Sequence, residues 1–370
     1  MSIKQISRLR IVRYLLENGS TSRKELASNL KMSMPTVFQY VTELTEQNIL
    51  NESGEFESTG GRKAKILSIR EGIFCSVGLN ITKHHILIVL VDLSGKILTH
   101  VRTRFTYANT NEYYMELGNK IQNFLDAYKA ESGINYKVMG VGFSVPGIIN
   151  PAVQVFLRSH TLGISDVNLC NFSVNLPYPV TFDNDANCAA YAEIDNSVNG
   201  TLYLSLSSTV GGAVYFHNQL YSGDNFRSGE FGHMIIEAGG SQCYCGNHGC
   251  LDAYCSTHVL LENEDDSLSD FFERLKSGDF TGVKKFDTFL DHLAIAISNL
   301  RMAFDCDIII GGDVGGYLEE YIDLLYEKVR QYNIFDNINN YLKIGQYKML
   351  SSSIGAAKKI TDEFLQGHLF

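Results

Sequence analysis

The sequence predicts an α/β protein: a small helical head with a β-wing, followed by a larger body of two similar lobes. Three observations predict it. Apolar residues recur at helical spacing through residues 6–44. A strand–loop–strand–turn–strand pattern occurs twice, at 74–99 and again at 201–221. Between and after these repeats, strand-like runs alternate with helical ones.

In the head, Ile6, Leu9, Ile11, Val12, Leu15 and Leu16 mark a first helix that stops at Asn18-Gly19. Ser22-Arg23-Lys24-Glu25 fits a capping box for a short second helix through Leu30. Ser33 can cap a third, with Pro35 tolerated in its first turn. Val37, Val41 and Leu44 then face inward, while Ser33, Thr36 and Gln39 point outward. Two short helices with a tight connection, the second polar at its start, describe a helix-turn-helix. Ile49-Leu50, a polar hairpin, Gly60-Gly61-Arg62-Lys63 and then 66–69 read as a wing with a basic tip. Arginine beside glycines suits a narrow minor groove or phosphates. DNA-binding candidates are therefore Ser33, Thr36, Gln39, Arg62 and Lys63; a protein-contact domain is the alternative.

Charge agrees with that division. The net charge is −10, which argues against a polyanion-binding body. Residues 1–70 nevertheless carry eleven Lys/Arg against seven Asp/Glu, so only the head is expected to meet a nucleic acid. We expect a head over 1–70 and a body over 71–370, its lobes approximating 71–190 plus the C-terminal helix, and 191–355. With 45% hydrophobic residues the chain has material for ordinary cores, and no run reaches bilayer-spanning length. The N-terminus does not read as a signal peptide, and the expected compartment is the cytoplasm. Eight cysteines, four of them within 243–255, suit reduced thiols and a metal better than a disulfide frame.

The body opens with strands at 74–80, 85–92 and 96–99, and the pattern returns at 201–206, 213–216 and 220–221. Strands at 138–143 and 180–182 extend the first lobe; helices are expected at 113–130, 186–195, 286–304 and 318–330. Ile308-Ile309-Ile310-Gly311-Gly312-Asp313 is a buried strand delivering a glycine turn. Residues 261–285 read as an insertion or helical excursion. This duplication is what a two-lobed, actin-like sugar kinase fold would show.

Residues 229–252 carry the metal signal. Gly229-Glu230-Phe231-Gly232-His233 leads into a strand-like 234–237, then Cys243-Tyr244-Cys245-Gly246-Asn247-His248-Gly249-Cys250-Leu251-Asp252. Zinc takes four N/S ligands, so three thiolates need one more; by spacing, His233 and His248 both qualify.

With these motifs assembled, and with Asp183-Asn184-Asp185-Ala186-Asn187 beside them, the sequence resembles the ROK family of repressors, open reading frames and sugar kinases. The match is to its repressor branch, which carries an N-terminal winged helix-turn-helix. The resemblance implies a structural Zn²⁺ on His233, Cys243, Cys245 and Cys250. It implies sugar contacts from Asn184, Asp185, Glu230, His233 and Asp252, with His233 serving both roles. It implies operator DNA, a monosaccharide or sugar-derivative effector, and a homodimer or homotetramer as partners. Asn184-Asp185 also reads as a plain helix cap, and Asp252 stands where the family usually has Glu.

Asp185 occupies the kinase-base position, yet the phosphate grip is altered. Where the family's first phosphate loop reads Asp-x-Gly-Gly-Thr, this chain has Asn80-Ile81-Thr82-Lys83-His84. Where the second reads Gly-Thr-Gly, it has Ser207-Ser208-Thr209-Val210 before Gly211-Gly212. Phosphoryl transfer depends on positioning and charge neutralisation, so a non-enzymatic, sugar-responsive repressor is expected, ahead of a kinase with a DNA-binding appendage. Recognition-helix Phe38-Gln39 and wing Gly61-Arg62-Lys63 differ from the family's usual Ser-Arg and Gly-Arg-Pro, so its operators do not transfer.

Overall fold

The computed structural model describes residues 2–55, 65–194, 200–261, 266–333, 335 and 340–367. The head forms as its caps dictate. Helix α1 (Ile3–Asn18) ends at Gly19, and a reciprocal Ser22–Glu25 capping box starts α2 (Arg23–Leu30). Ser33 caps α3 (Met34–Glu46), with Pro35 where its missing N–H costs nothing. Strands β1 (Leu50–Glu55) and β2 (Lys65–Ile69) pair antiparallel as the wing. Arg62 and Lys63 lie outside the described residues.

The body's first sheet contains β3 (Phe74–Ile81), β4 (His85–Asp92), β5 (Ile97–Arg104), β6 (Lys137–Val145) and, later in the chain, β10 (Val180–Asn184). Helix α4 (Asn111–Ser132) covers it through Tyr113, Leu117, Ile121 and Leu125. A small sheet of β7 (Ile148–Asn150), β8 (Val155–Ser159) and β9 (Ile164–Asn168) projects beside it, and α5 (Asp185–Glu193) follows β10. The second large sheet holds β11 (Thr201–Leu206), β12 (Val210–Phe216), β13 (Gln219–Leu220), β14 (Asp307–Gly311) and β15 (Leu342–Ile344). Its order, β13-β12-β11-β14-β15, repeats the first sheet's β5-β4-β3-β6-β10 strand for strand. In both, an antiparallel meander is extended by two parallel strands on the far side of its first strand. The duplication read from the sequence is therefore a duplication of topology.

Short helices α6 (Asp252–Cys255) and α7 (Thr257–Leu260) lead to α8 (Leu268–Lys276) and α9 (Phe280–Phe304); α10 (Gly312–Leu318) and α11 (Ile322–Arg330) come after β14. Residues 261–285 are thus largely helical where described, and Phe271, Phe272 and Leu275 pack into the second lobe's core. Helix α9 begins six residues earlier than its apolar spacing suggested, because Asp279 caps it after Gly278. The expected strand at 234–237 does not form. Ile235 makes one bridge to Cys250, and Ile236 and Glu237 both donate to the Gly249 carbonyl.

The last helix, α12 (Ser351–Gly367), lies between the first sheet and α5. A Cβ at Gly78 or Gly142 of the sheet would overlap a carbonyl of this helix, and one at Gly355 would overlap the Cys188 carbonyl of α5. Glycine at these positions lets three layers of backbone touch. At the far end of α12, Phe364 and Leu365 enter the core that the head builds from Leu9, Val12, Leu26, Val37 and Leu67. Helix α12 spans about 25 Å at 1.5 Å per residue.

Candidate functional site

The knuckle is a set of tight turns. Gly246 and Gly249 sit at φ +95° and +80°, and a Cβ on Gly249 would overlap the Glu237 carbonyl. The Cys243 N–H donates to Asn247 (2.8 Å) and the Gly246 N–H to Cys243 (3.0 Å), which turns the sulfurs toward one point. The ligand atoms of His233, Cys243, Cys245 and Cys250 lie within 4.8 Å of one another. Tetrahedral zinc with Zn–S bonds of about 2.3 Å separates its sulfurs by about 3.8 Å. Cys245 and Cys250 Sγ are 3.8 Å apart, and Cys243 Sγ is 4.0 Å from His233 Nδ1. The donor set fits a metal of zinc's size and softness. His248 is exposed and lies outside the set.

Because Nδ1 faces the sulfurs, Nε2 of His233 faces the cleft. There it is 3.3 Å from the Tyr244 hydroxyl and 3.9 Å from Glu230 Oε2. Tyr244 follows from the knuckle's alternation: between two inward cysteines, its side chain must leave on the other side. Its ring meets His233 edge-on at 5.4 Å and His160, in the turn between β8 and β9, at 5.8 Å, so it touches both walls of the cleft. Neither Tyr244 nor His160 was singled out from sequence as a site residue; the alternation argument identifies the first, and only the fold identifies the second.

On the opposite wall, β10 ends in Asn184 and α5 begins with Asp185. Asn184 is a working cap: its Oδ1 accepts from the N–H groups of Ala186 (2.8 Å) and Asn187 (3.1 Å), and its Nδ2 donates to Gly147 (2.9 Å). Asp185 accepts from the Ala186 N–H at 3.0 Å. Burial pushes its carboxyl up to about 6, with Glu230 adding to the rise and the Ala186 N–H opposing it. Burial also raises Glu230, against the pull of Arg227. Asp252 is buried; desolvation lifts it to about 6, while the Val210 N–H that it accepts at 2.6 Å opposes the shift. That bond ties one Asp252 oxygen to the second loop. Asp185, Glu230 and Asp252 are hydrogen-bond acceptors set around the His233 wall, suited to a ligand rich in O–H donors.

Helix α12 holds this wall from behind. Lys359 pairs with Asp183, Ser352 Oγ donates to the Asp185 carbonyl (3.1 Å), and Ser351 Oγ donates to Glu193 (2.7 Å).

Next to Asp185 lies an enclosed cavity of about 90 Å³, lined in part by Asn80, Thr82, Ser207, Thr209, Gly312 and Asp313. Both loops there are closed on themselves. Thr82 seals the first as a hairpin: its N–H donates to the His85 carbonyl (2.9 Å) and its Oγ1 accepts the His85 N–H (3.0 Å). In the second, the Ser207 N–H donates to Thr209 (3.2 Å), the Val210 N–H to Asp252, and Ser207 Oγ accepts the Asp313 N–H (3.1 Å). The N–H groups of Thr82, Ser207, Val210 and Asp313 are thus engaged within the protein.

On the head, Ser33 and Thr36 hydroxyls bond each other (2.7 Å), and the Gln39 amide donates to Glu43 (3.0 Å).

Comparison with known proteins agrees with this architecture. Residues 5–51 match a winged helix-turn-helix DNA-binding model, and residues 76–362 match the ROK family. The chain is 28% identical to the xylose repressor of Bacillus subtilis over 320 residues, covering 83% of this chain and 82% of that protein. It is 23% identical to the DNA-binding transcriptional dual regulator NagC of Escherichia coli, over 70% of this chain and 64% of that one. Among solved structures, a ROK family transcriptional regulator homologous to E. coli MLC superposes with a TM-score of 0.75 at 20% identity, over 98% of both chains. A Streptomyces griseus ROK glucokinase, solved with glucose and AMPPNP, gives 0.63 at 22% identity, over 77% of this chain and 98% of that one. The residues 76–362 matched by its model make up most of the chain, which thus belongs to the ROK family and carries a winged helix-turn-helix head before its ROK body.

Proposed function

We propose that this chain is a sugar-responsive DNA-binding repressor that does not phosphorylate its sugar. One observation supports the reading: at the former phosphate positions Thr82 bonds to His85 and Ser207 to Thr209, while Asp185, Glu230 and Asp252 beside them offer a polyol a set of acceptors. The head, 1–70, meets a palindromic operator as part of a homodimer or homotetramer, and the body, 71–370, takes the effector. The similar repressors named for xylose and N-acetylglucosamine supply the first sugars to try.

In this reading Asp185, Glu230 and Asp252 accept hydroxyl protons, and His233 Nε2 exchanges its Tyr244 contact for a sugar hydroxyl. Asn184 keeps Asp185 in place as the cap of α5. A Zn²⁺ ion on His233, Cys243, Cys245 and Cys250 would supply rigidity alone, fixing the His233 ring and thereby one wall. As sugar draws the walls together, α12 carries the change, because it holds Asp185 through Ser352 at its start, Asp183 through Lys359 at its middle, and the cluster shared with the head through Phe364 and Leu365 near its end. The sugar acts only to the extent that it prefers one arrangement, which for ordinary coupling alters operator affinity by about 5- to 150-fold. Among the described residues no helix is long and apolar enough to cross a membrane, and an operator-binding protein works beside the chromosome, in the cytoplasm.

The test is operator binding by the full chain, titrated with monosaccharides in the absence of ATP. One sugar should shift the affinity, and ADP release with the same sugar should stay at background. Sustained ADP release abolished by Asp185→Asn would replace this reading with a kinase.

A further inference from the structure

We infer that Phe38 is a specificity-determining residue of the head and that the chemical group it reads is the C5-methyl of thymine. This rests on the DNA-binding reading above and names the base chemistry that the head takes.

The spacing that buries Val37, Val41 and Leu44 turns Met34, Pro35 and Phe38 outward on the first two turns of α3. Phe38 is 60% exposed and Met34 49%, although the head has an apolar core that could cover such side chains. The polar groups of the same helix are occupied: Ser33 with Thr36, Gln39 with Glu43, and Thr42 Oγ1 with the Phe38 carbonyl (2.9 Å). Met34, Pro35 and Phe38 thus give the N-terminal half of α3 an exposed apolar face beside its polar one.

The Phe38 ring is also held in place. The Arg23 guanidinium lies 4.3 Å from its centroid, and Arg23 is itself fixed by two 2.8 Å hydrogen bonds to Glu52 of β1. The ring thus rests against a side chain that bridges α2 and the wing. On the same head, Lys24 of α2 and Lys31, which follows it, are exposed and make no ion pair among the described residues. An exposed apolar side chain on a helix of a basic head complements a groove whose walls are phosphates and whose floor carries an apolar group. In the major groove only thymine supplies one; adenine, guanine and cytosine edges present donors and acceptors.

The experiment selects operators from a random duplex library with the full chain. It then compares each enriched thymine with deoxyuridine, which lacks only the methyl. At one position per half-site the exchange should weaken binding about fourfold, the value of one buried methyl. Phe38→Ala should bind both duplexes equally, and Phe38→Leu should keep part of the preference; because the ring is exposed, both variants should melt with the parent chain. An enriched operator indifferent to the exchange, or a Phe38→Ala chain that still prefers thymine, overturns the inference and leaves DNA binding intact. Operator binding of both duplexes unchanged by Phe38→Ala would also overturn it, assigning the patch to a protein contact. A library yielding no enriched duplex overturns the DNA-binding reading and this inference together.

Discussion

Asp185 has a carboxyl that the fold holds at a cost. Its native value of about 6 lies above the 3.8 of an unperturbed aspartate, so between roughly pH 4 and 6 the folded chain keeps a proton that the unfolded chain releases. Stability from this group therefore falls as pH rises through that window, and the loss is complete above it. Asp185→Asn should raise the unfolding free energy at pH 7.5 by on the order of 2 kcal/mol and give no gain at pH 4, as read by denaturant melts at the two pH values. Tyr244 makes a second residue-level case. Its hydroxyl occupies the His233 nitrogen that a sugar hydroxyl would use, so Tyr244→Phe should tighten effector binding about three- to tenfold by calorimetry. Weaker binding would make the phenol part of the binding wall instead.

At the scale of elements, the knuckle's turns bring three sulfurs and a ring to one point, where the proposed ion would hold them. Purified protein should contain one zinc per chain. Chelation, or Cys245→Ser, should lower the melting temperature and weaken sugar binding together, because His233 belongs to both the knuckle and the cleft. Helix α12 gives a packing prediction: Gly355→Ala forces a methyl into the Cys188 carbonyl and should destabilise by about 1–3 kcal/mol in urea melts. Local chemistry decided what could be read at this scale. Ser22, Glu25 and Ser33 announce the head's helices because a cap is a contact between near neighbours, and the two sheets announce themselves by repeating one pattern. Residues 234–237 look like a strand but lack a partner strand, which only the path of the chain supplies or withholds. The cysteines and His233 were legible together, whereas His160 was not, since its place opposite Tyr244 depends on how the two lobes face one another.

Over the whole molecule, a chain with closed phosphate loops and an open polyol cleft can pass binding energy only into its own shape. The route of least compliance is α12, packed through glycines against the sheet and α5 and anchored by Phe364, whose ring lies tilted 5.5 Å from that of Phe74. Ile360, Phe364 and Leu365 belong to the same apolar cluster as Val12, Val41 and Leu67. The first-made and last-made segments of the chain thus share one apolar cluster, and a change at either is felt at the other.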